Sequence, residues 1–254
     1  MTISPDFSPA ATAVTAVLGA YLLLGEPLLG RRMYASLARR RAIEPGALVR
    51  YFRVVLALWW ALAALAAAAL LLSPGMAAAD LGIALPDKPA VVAVGVLFCA
   101  VIAVTSGRAL RDLDRQGKHV PGRAAIEAML PGTPRERALA VAFGVSDGIC
   151  AEFVYRGLLI AFGVGVLGLH LYAAAALSVL VYAVAGYYQG RQGLLVFAVF
   201  GALLSGLYLA TGSLLLPVAL HVILSVRDLT TLTPPTPSAP PTASAASAAP
   251  LTAK

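Results

Sequence analysis

Ala151-Glu152-Phe153-Val154-Tyr155-Arg156-Gly157 sets an acid and a base four residues apart inside a run that is otherwise apolar. An ionisable side chain at membrane depth costs roughly 3 kcal/mol on insertion scales. It persists there when it pairs with another such group or serves a site. On a helix, residues i and i+4 share one face, so Glu152 and Arg156 can form an ion pair inside a bundle. From spacing alone the pair reads either as a lock between helices or as the polar centre of a site.

The surroundings decide that this depth is membrane depth. Of 254 residues, 60% are hydrophobic and 12% charged, against about 25% charged in a soluble domain. Seven apolar runs approach the roughly 20 residues that a spanning helix needs. They lie near 8–29, 52–73, 89–107, 139–161, 171–188, 194–210 and 213–229. The sixth is short and is open to a tilted or re-entrant reading. The first lacks a basic leading region and is read as a span, not a cleaved leader. The expected fold is an all-α, polytopic transmembrane helical bundle of about seven spans.

Charge orients it. Arg31, Arg32, Arg39, Arg40, Arg41, Arg50 and Arg53 form one basic cluster, and Arg108, Arg111, Arg115, Lys118, Arg123, Arg135 and Arg137 a second. By the positive-inside rule both clusters are cytoplasmic. The 74–88 loop, with Asp80, Asp87 and Lys88, fits the outside. Arg191 and Arg227 then also fall inside, the N-terminus outside and the C-terminus in the cytoplasm, in a plasma (inner) membrane. The net charge of +7 is thus a topology signal with membrane lipids as its natural partners. Nucleic-acid binding is not expected, because that needs a basic face on a folded soluble domain.

Cys99 and Cys150 fall inside predicted spans without metal spacing and read as small buried apolar residues. No cofactor is implied. The segment 232–254, rich in Pro, Ala, Ser and Thr, has too few large apolar side chains to offset ordering and reads as a disordered tail. The chain divides into a three-span region (1–129), a four-helix core (130–231) and that tail.

Two further polar places lie at the ends of, or within, spans. Gly186-Tyr187-Tyr188-Gln189-Gly190-Arg191-Gln192-Gly193 joins the fifth and sixth runs; glycines allow a tight turn and tyrosines suit the interface. Its plain reading is an interfacial hairpin. His221 stands alone inside the last run, four residues before Ser225. An intramembrane histidine is either functional or a neutral hydrogen-bonding group between helices. Gly201 and Ser205, four apart, permit close helix approach.

Taken in order, these places resemble the CPBP family, the CAAX prenyl endopeptidases and bacteriocin-processing membrane proteases. The family's first motif is two glutamates, three residues, arginine and commonly glycine. Ala151-Glu152 through Arg156-Gly157 is similar with one change, and Ser146 to Cys150 and Leu130 to Arg137 are similar to the approach to that motif. The second motif, an aromatic residue, three residues and histidine, is echoed by Tyr182 and by the following Tyr188-Gln189-Gly190, with Gly186 at the histidine position. The third, histidine, three residues and Asn or Asp, is echoed by His221, with Ser225 at the last position, and by the run from Tyr208 through Thr211-Gly212-Ser213 to Pro217. The resemblance spans roughly 130–230. It implies that the first glutamate is a general base on water, helped by the first histidine, while the second histidine and its partner steady a tetrahedral intermediate.

Carried over by position, those roles fall on Ala151, Gly186, and His221 with Ser225. A methyl group accepts no proton, and a base must lie within about 3 Å of the water it activates. Loss of one general base costs about 10²–10⁴ in rate. Glu152 stands about 100° round the helix from Ala151 and opposite Arg156, which makes it a poor substitute. A zinc site wants three protein ligands, and only His221 and Glu152 remain. Ser225 could hydrogen-bond to His221 on the same face, but nothing visible supplies an oxyanion hole.

The sequence therefore implies a CPBP-type scaffold whose site is inactive as a protease, in a natural or a deliberately disabled form. The cavity could still bind a peptide or a prenylated protein tail, with Glu152, Arg156 and His221 as polar remnants. The alternative is an active endopeptidase of the CAAX-processing or bacteriocin-immunity class. A transporter would want broken helices in matched halves, which the sequence does not show.

Overall fold

The computed structural model describes residues 2–86 and 89–234. Every regular element among them is helical. Helix α1 (Pro9–Ala20) passes through a wide π turn (Tyr21–Gly25) into α2 (Glu26–Arg40), then α3 (Ala47–Leu71), α4 (Pro89–Arg115) and the short α5 (Arg123–Ile126). Helix α6 (Pro134–Glu152) runs through a second π segment (Phe153–Leu159) into α7 (Ile160–Gly165). Helix α8 (Leu171–Ala185), a 3₁₀ turn (Gly186–Gln189), α9 (Gly190–Thr211) and α10 (Leu215–Thr231) complete the chain.

Five helical stretches are long and apolar enough to cross a membrane: Pro9–Arg40, Ala47–Leu71, Pro89–Arg115, Pro134–Gly165 and Leu171–Thr211. The protein is accordingly an integral membrane protein with an all-helical, polytopic fold. These five do not by themselves amount to the seven spans expected. The last stretch is folded at the 3₁₀ turn, where Gly190 has φ +78°, and α8 lies against α9. Helix α10, at 17 residues, is shorter than each of these five stretches.

One expectation changes. The arginine cluster at 31–53 is not a loop: Arg31 to Arg40 extend the first helix and Arg50 and Arg53 open α3, leaving only 41–46 as connection. Long arginine side chains can leave a helix for the interface without ending it. At the head of the segment read as a tail, two residues make contacts with the bundle. Leu232 is buried, and Thr233 donates through N and Oγ1 to Asp114 at 3.1 and 2.6 Å. Residues 235–254, and Asp87 and Lys88, lie outside the described residues.

The site is positioned by α6. Thr133 caps it through its hydroxyl, Pro134 opens it, and Glu136 returns to the Thr133 amide in a capping box, the arrangement that satisfies orphan N–H groups at a helix start. Arg41, from the α2–α3 connection, forks onto Glu136 at 2.5 and 3.1 Å and reaches the Leu130 carbonyl at 3.1 Å. Along α6, Ala140, Gly144 and Gly148 recur every four residues. A Cβ at Gly148 would meet the Val222 amide nitrogen at 2.8 Å, and one at Gly144 the Val226 amide nitrogen at 3.1 Å. The two glycines let α10 approach to backbone contact, the close crossing that small residues permit in membranes. One turn beyond Gly148 stands Glu152, and His221 directly precedes Val222 on α10.

Candidate functional site

Glu152 and Arg156 are both fully buried, and His221 is 4% exposed. Arg156 donates from Nη1 to Glu152 Oε1 at 3.0 Å. The same oxygen lies 2.7 Å from His221 Nδ1. Arg156 then reaches α9, donating from Nη2 to the Gly201 carbonyl at 3.1 Å and from Nε to Ser205 Oγ at 3.4 Å. Its guanidinium lies 4.4 Å from the centre of the Tyr182 ring, within cation–π range. One charged side chain thus ties α6, α8, α9 and, through Glu152, α10. Glu152 Oε2 has no hydrogen-bond partner among the described residues.

The π segment shapes this arrangement. Wide i→i+5 turns inside α-helices often mark functional sites. Here the turn starts at Phe153, so Arg156 sits on it while Glu152 ends the regular helix. Its displaced backbone is satisfied laterally, because Ser178 Oγ of α8 donates to the Tyr155 carbonyl at 2.5 Å. The expected i, i+4 pair forms, but across a junction of helix types that the spacing did not announce.

Gly201 is hemmed in by Tyr182 and Arg156. A Cβ at Gly201 would meet Tyr182 Cδ1 at 2.9 Å and Arg156 Nη2 at 3.2 Å. Gly201 therefore makes room for the Tyr182 ring and the Arg156 guanidinium together, and Ser205 meets the latter with its hydroxyl.

The substituted positions are filled, not open. Ala151 is 1% exposed and lies in an apolar cluster with Leu22, Leu62, Tyr155, Leu158 and Tyr182. At Gly186 a Cβ would run into the Phe197 ring, and Phe197 in turn stacks on Tyr182, with ring centres 5.2 Å apart. The space for a side chain at 186 is taken by Phe197. Ser225 lies one turn from His221 but does not pair with it: His221 directs Nδ1 to Glu152 and has Nε2 3.4 Å from Asp147 Oδ2. The serine–histidine pair considered from the sequence is not formed, since acids face both ring nitrogens.

Two acids were passed over. Asp147 lies one turn before Ala151 on α6, and its side chain is 19% exposed, the most accessible of the carboxylates around His221. Glu26, at the end of the first π turn, accepts a hydrogen bond from Tyr155 Oη at 2.7 Å, joining the N-terminal region to the middle of the motif. Each could have been found by the signal used for Glu152, an acid inside an apolar run; Glu26 is the one charged residue in the 8–29 run. Among the described residues, no three His, Cys, Asp or Glu side chains are placed to hold a metal ion.

A family model described as Type II CAAX prenyl endopeptidase Rce1-like matches residues 134–226. No curated protein and no solved structure matches the chain. The matched segment opens at the first residue of α6 and closes five residues after His221, so it contains all three motif positions and every partner of Arg156. Residues 134–226 are thus similar to the Rce1-like CAAX prenyl endopeptidases, and they are the stretch whose motifs resemble the CPBP family.

Proposed function

We propose that this protein is a non-hydrolytic member of its fold, a membrane module that keeps the architecture of a prenyl endopeptidase without its water-activating groups. The observation that carries the reading is the packing of the two substituted positions. Ala151 is 1% exposed among apolar side chains, and Phe197 occupies the space beside Gly186. A general base acts on a water within about 3 Å, and neither position offers an acceptor or room for that water. Glu152 is engaged by Arg156 and His221, so it serves the bundle as a lock.

The ligand in this reading is a prenylated protein tail or a hydrophobic peptide, the substrate class in the family's name. The chain lies in a plasma (inner) membrane with its N-terminus outside and its C-terminus in the cytoplasm, as the arginine clusters on α2–α3 and α4–α5 favour. A farnesylated CAAX peptide titrated into the purified protein should bind saturably and be recovered uncut. Cleavage at the rate of an active endopeptidase would overturn the reading; absence of saturable binding would remove its ligand.

One observation favours the enzymatic alternative. Asp147 is partly accessible, lies on the face of α6 that carries Ala151, and sits 3.4 Å from His221 Nε2. A carboxylate beside a histidine is a pair that can move a proton. Turnover abolished by Asp147→Asn, in protein that still folds, would establish that alternative.

A further inference from the structure

Helices α2 and α3 leave an open groove of about 410 Å³ between them, away from the Glu152 site. Leu29, Arg32, Met33 and Arg40 line it from one face of α2, and Arg50 and Val54 from one face of α3. Arg40 and Arg50 stand at the end next to the α2–α3 connection. Arg32 lies eight residues back along α2, roughly 12 Å at about 1.5 Å per residue. Met33 stands beside Arg32, Leu29 one turn beyond it and Val54 one turn beyond Arg50, and Leu29 and Val54 are exposed.

The groove's charge is not neutralised from within. Between Arg31 and Arg53 the sequence holds seven arginines and one acid, Glu44. Glu44 is shared by Arg40, at 3.6 Å, and Arg50. Arg32 has no ion-pair partner among the described residues. Arg41, the neighbour best placed to add charge, is committed to Glu136.

We propose that this groove is a specific binding site for an anionic glycerophospholipid, its phosphate held at Arg40 and Arg50, with Arg32 further along the groove adding positive charge, and one acyl chain laid over Met33, Leu29 and Val54. Three observations argue for that occupant. Against three groove arginines stands one carboxylate, Glu44, which leaves a net positive charge. They sit where a hydrophobic span meets its basic end, the depth of a lipid headgroup. The apolar remainder runs along the spanning part of the helices, where the surrounding medium is acyl chain. A soluble anion would satisfy the arginines and leave the apolar half unused.

The full chain, purified in a neutral detergent, is titrated with phosphatidylglycerol and with phosphatidylcholine of the same acyl chains, and bound lipid is counted by native mass spectrometry. Each basic contact to an anionic headgroup changes affinity by about five-fold. Phosphatidylglycerol should therefore bind at least about ten-fold more tightly. Arg32→Gln, Arg40→Gln and Arg50→Gln together should abolish that preference, while Arg108→Gln, Arg111→Gln and Arg115→Gln together should leave it. Met33→Trp, which fills the groove with its charges intact, should weaken binding as well, and it decides the matter if the first triple variant fails to fold. Inorganic phosphate at millimolar concentration should not displace the lipid. Equal affinity for the two lipids, equal loss in both triple variants, full binding by Met33→Trp, or displacement by phosphate would each overturn the proposal.

Discussion

Replacing Arg156 with Met should unfold the bundle more readily than any change at the substituted motif positions. Arg156 is completely buried and makes three hydrogen bonds, to Glu152, the Gly201 carbonyl and Ser205. Methionine restores much of the apolar volume but no donor. Removing one partner of a buried ion pair costs about 3–5 kcal/mol, because the other charge is left without compensation. Glu152 keeps His221 at 2.7 Å, which can carry a proton to it, so a loss of about 3 kcal/mol, at the lower end of that range, is expected. Neutral pairs in such places are often tolerated. Glu152→Gln combined with Arg156→Met should thus recover about 2 kcal/mol relative to the sum of the single changes. The assay is reversible unfolding in mixed micelles for the wild type, both single variants and the double variant. A loss under about 1 kcal/mol for Arg156→Met, or strict additivity of the two changes, would refute the view of this pair as a lock.

Gly148→Val should push α10 from α6, since a Cβ there already meets the Val222 amide at 2.8 Å; overpacking of this kind costs about 1–3 kcal/mol, read by the same unfolding assay. Gly201→Ala should crowd Tyr182 and the Arg156 guanidinium and cost a similar amount, about 1–3 kcal/mol, with part of the effect remaining when Arg156 is already Met, because Tyr182 is the nearer neighbour. Tyr155→Phe removes the hydrogen bond to Glu26 at 2.7 Å and should destabilise by about 1–3 kcal/mol through the acid left unpaired; Glu26→Gln should rescue part of it. Gly186→His alone should be destabilising, because Phe197 fills the space, and Phe197→Ala in the same chain should relieve it.

Much of this was legible because it depends on period and composition. The apolar runs, the buried Glu152–Arg156 pair and the order of the three motifs are properties of the string, and the family match from 134 to 226 falls where they lie. Three things were not legible, each for a physical reason. Helix length was misjudged at Arg31–Arg40 because hydropathy ends a span at its first charges, whereas the backbone continues while its side chains reach outward. The π turn at Phe153–Leu159 was hidden because its stabilisation comes from Ser178 and the packing of Gly157 on the Leu81 carbonyl, contacts remote in sequence. Asp147 was passed over because nothing local shows that α10 crosses closely enough, through Gly144 and Gly148, to bring His221 to 3.4 Å. The filling of the site by Phe197 belongs to the same class, since a glycine in a motif reads as an empty place and says nothing of what occupies it.

The most direct test of the central claim is hydrolysis of a farnesylated CAAX peptide by three proteins: the present chain, its Asp147→Asn variant, and a variant with Ala151→Glu, Gly186→His, Ser225→Asp and Phe197→Ala together. The first two should show no turnover above the uncatalysed rate and the third measurable cleavage. Cleavage by the present chain that disappears with Asp147→Asn would contradict it.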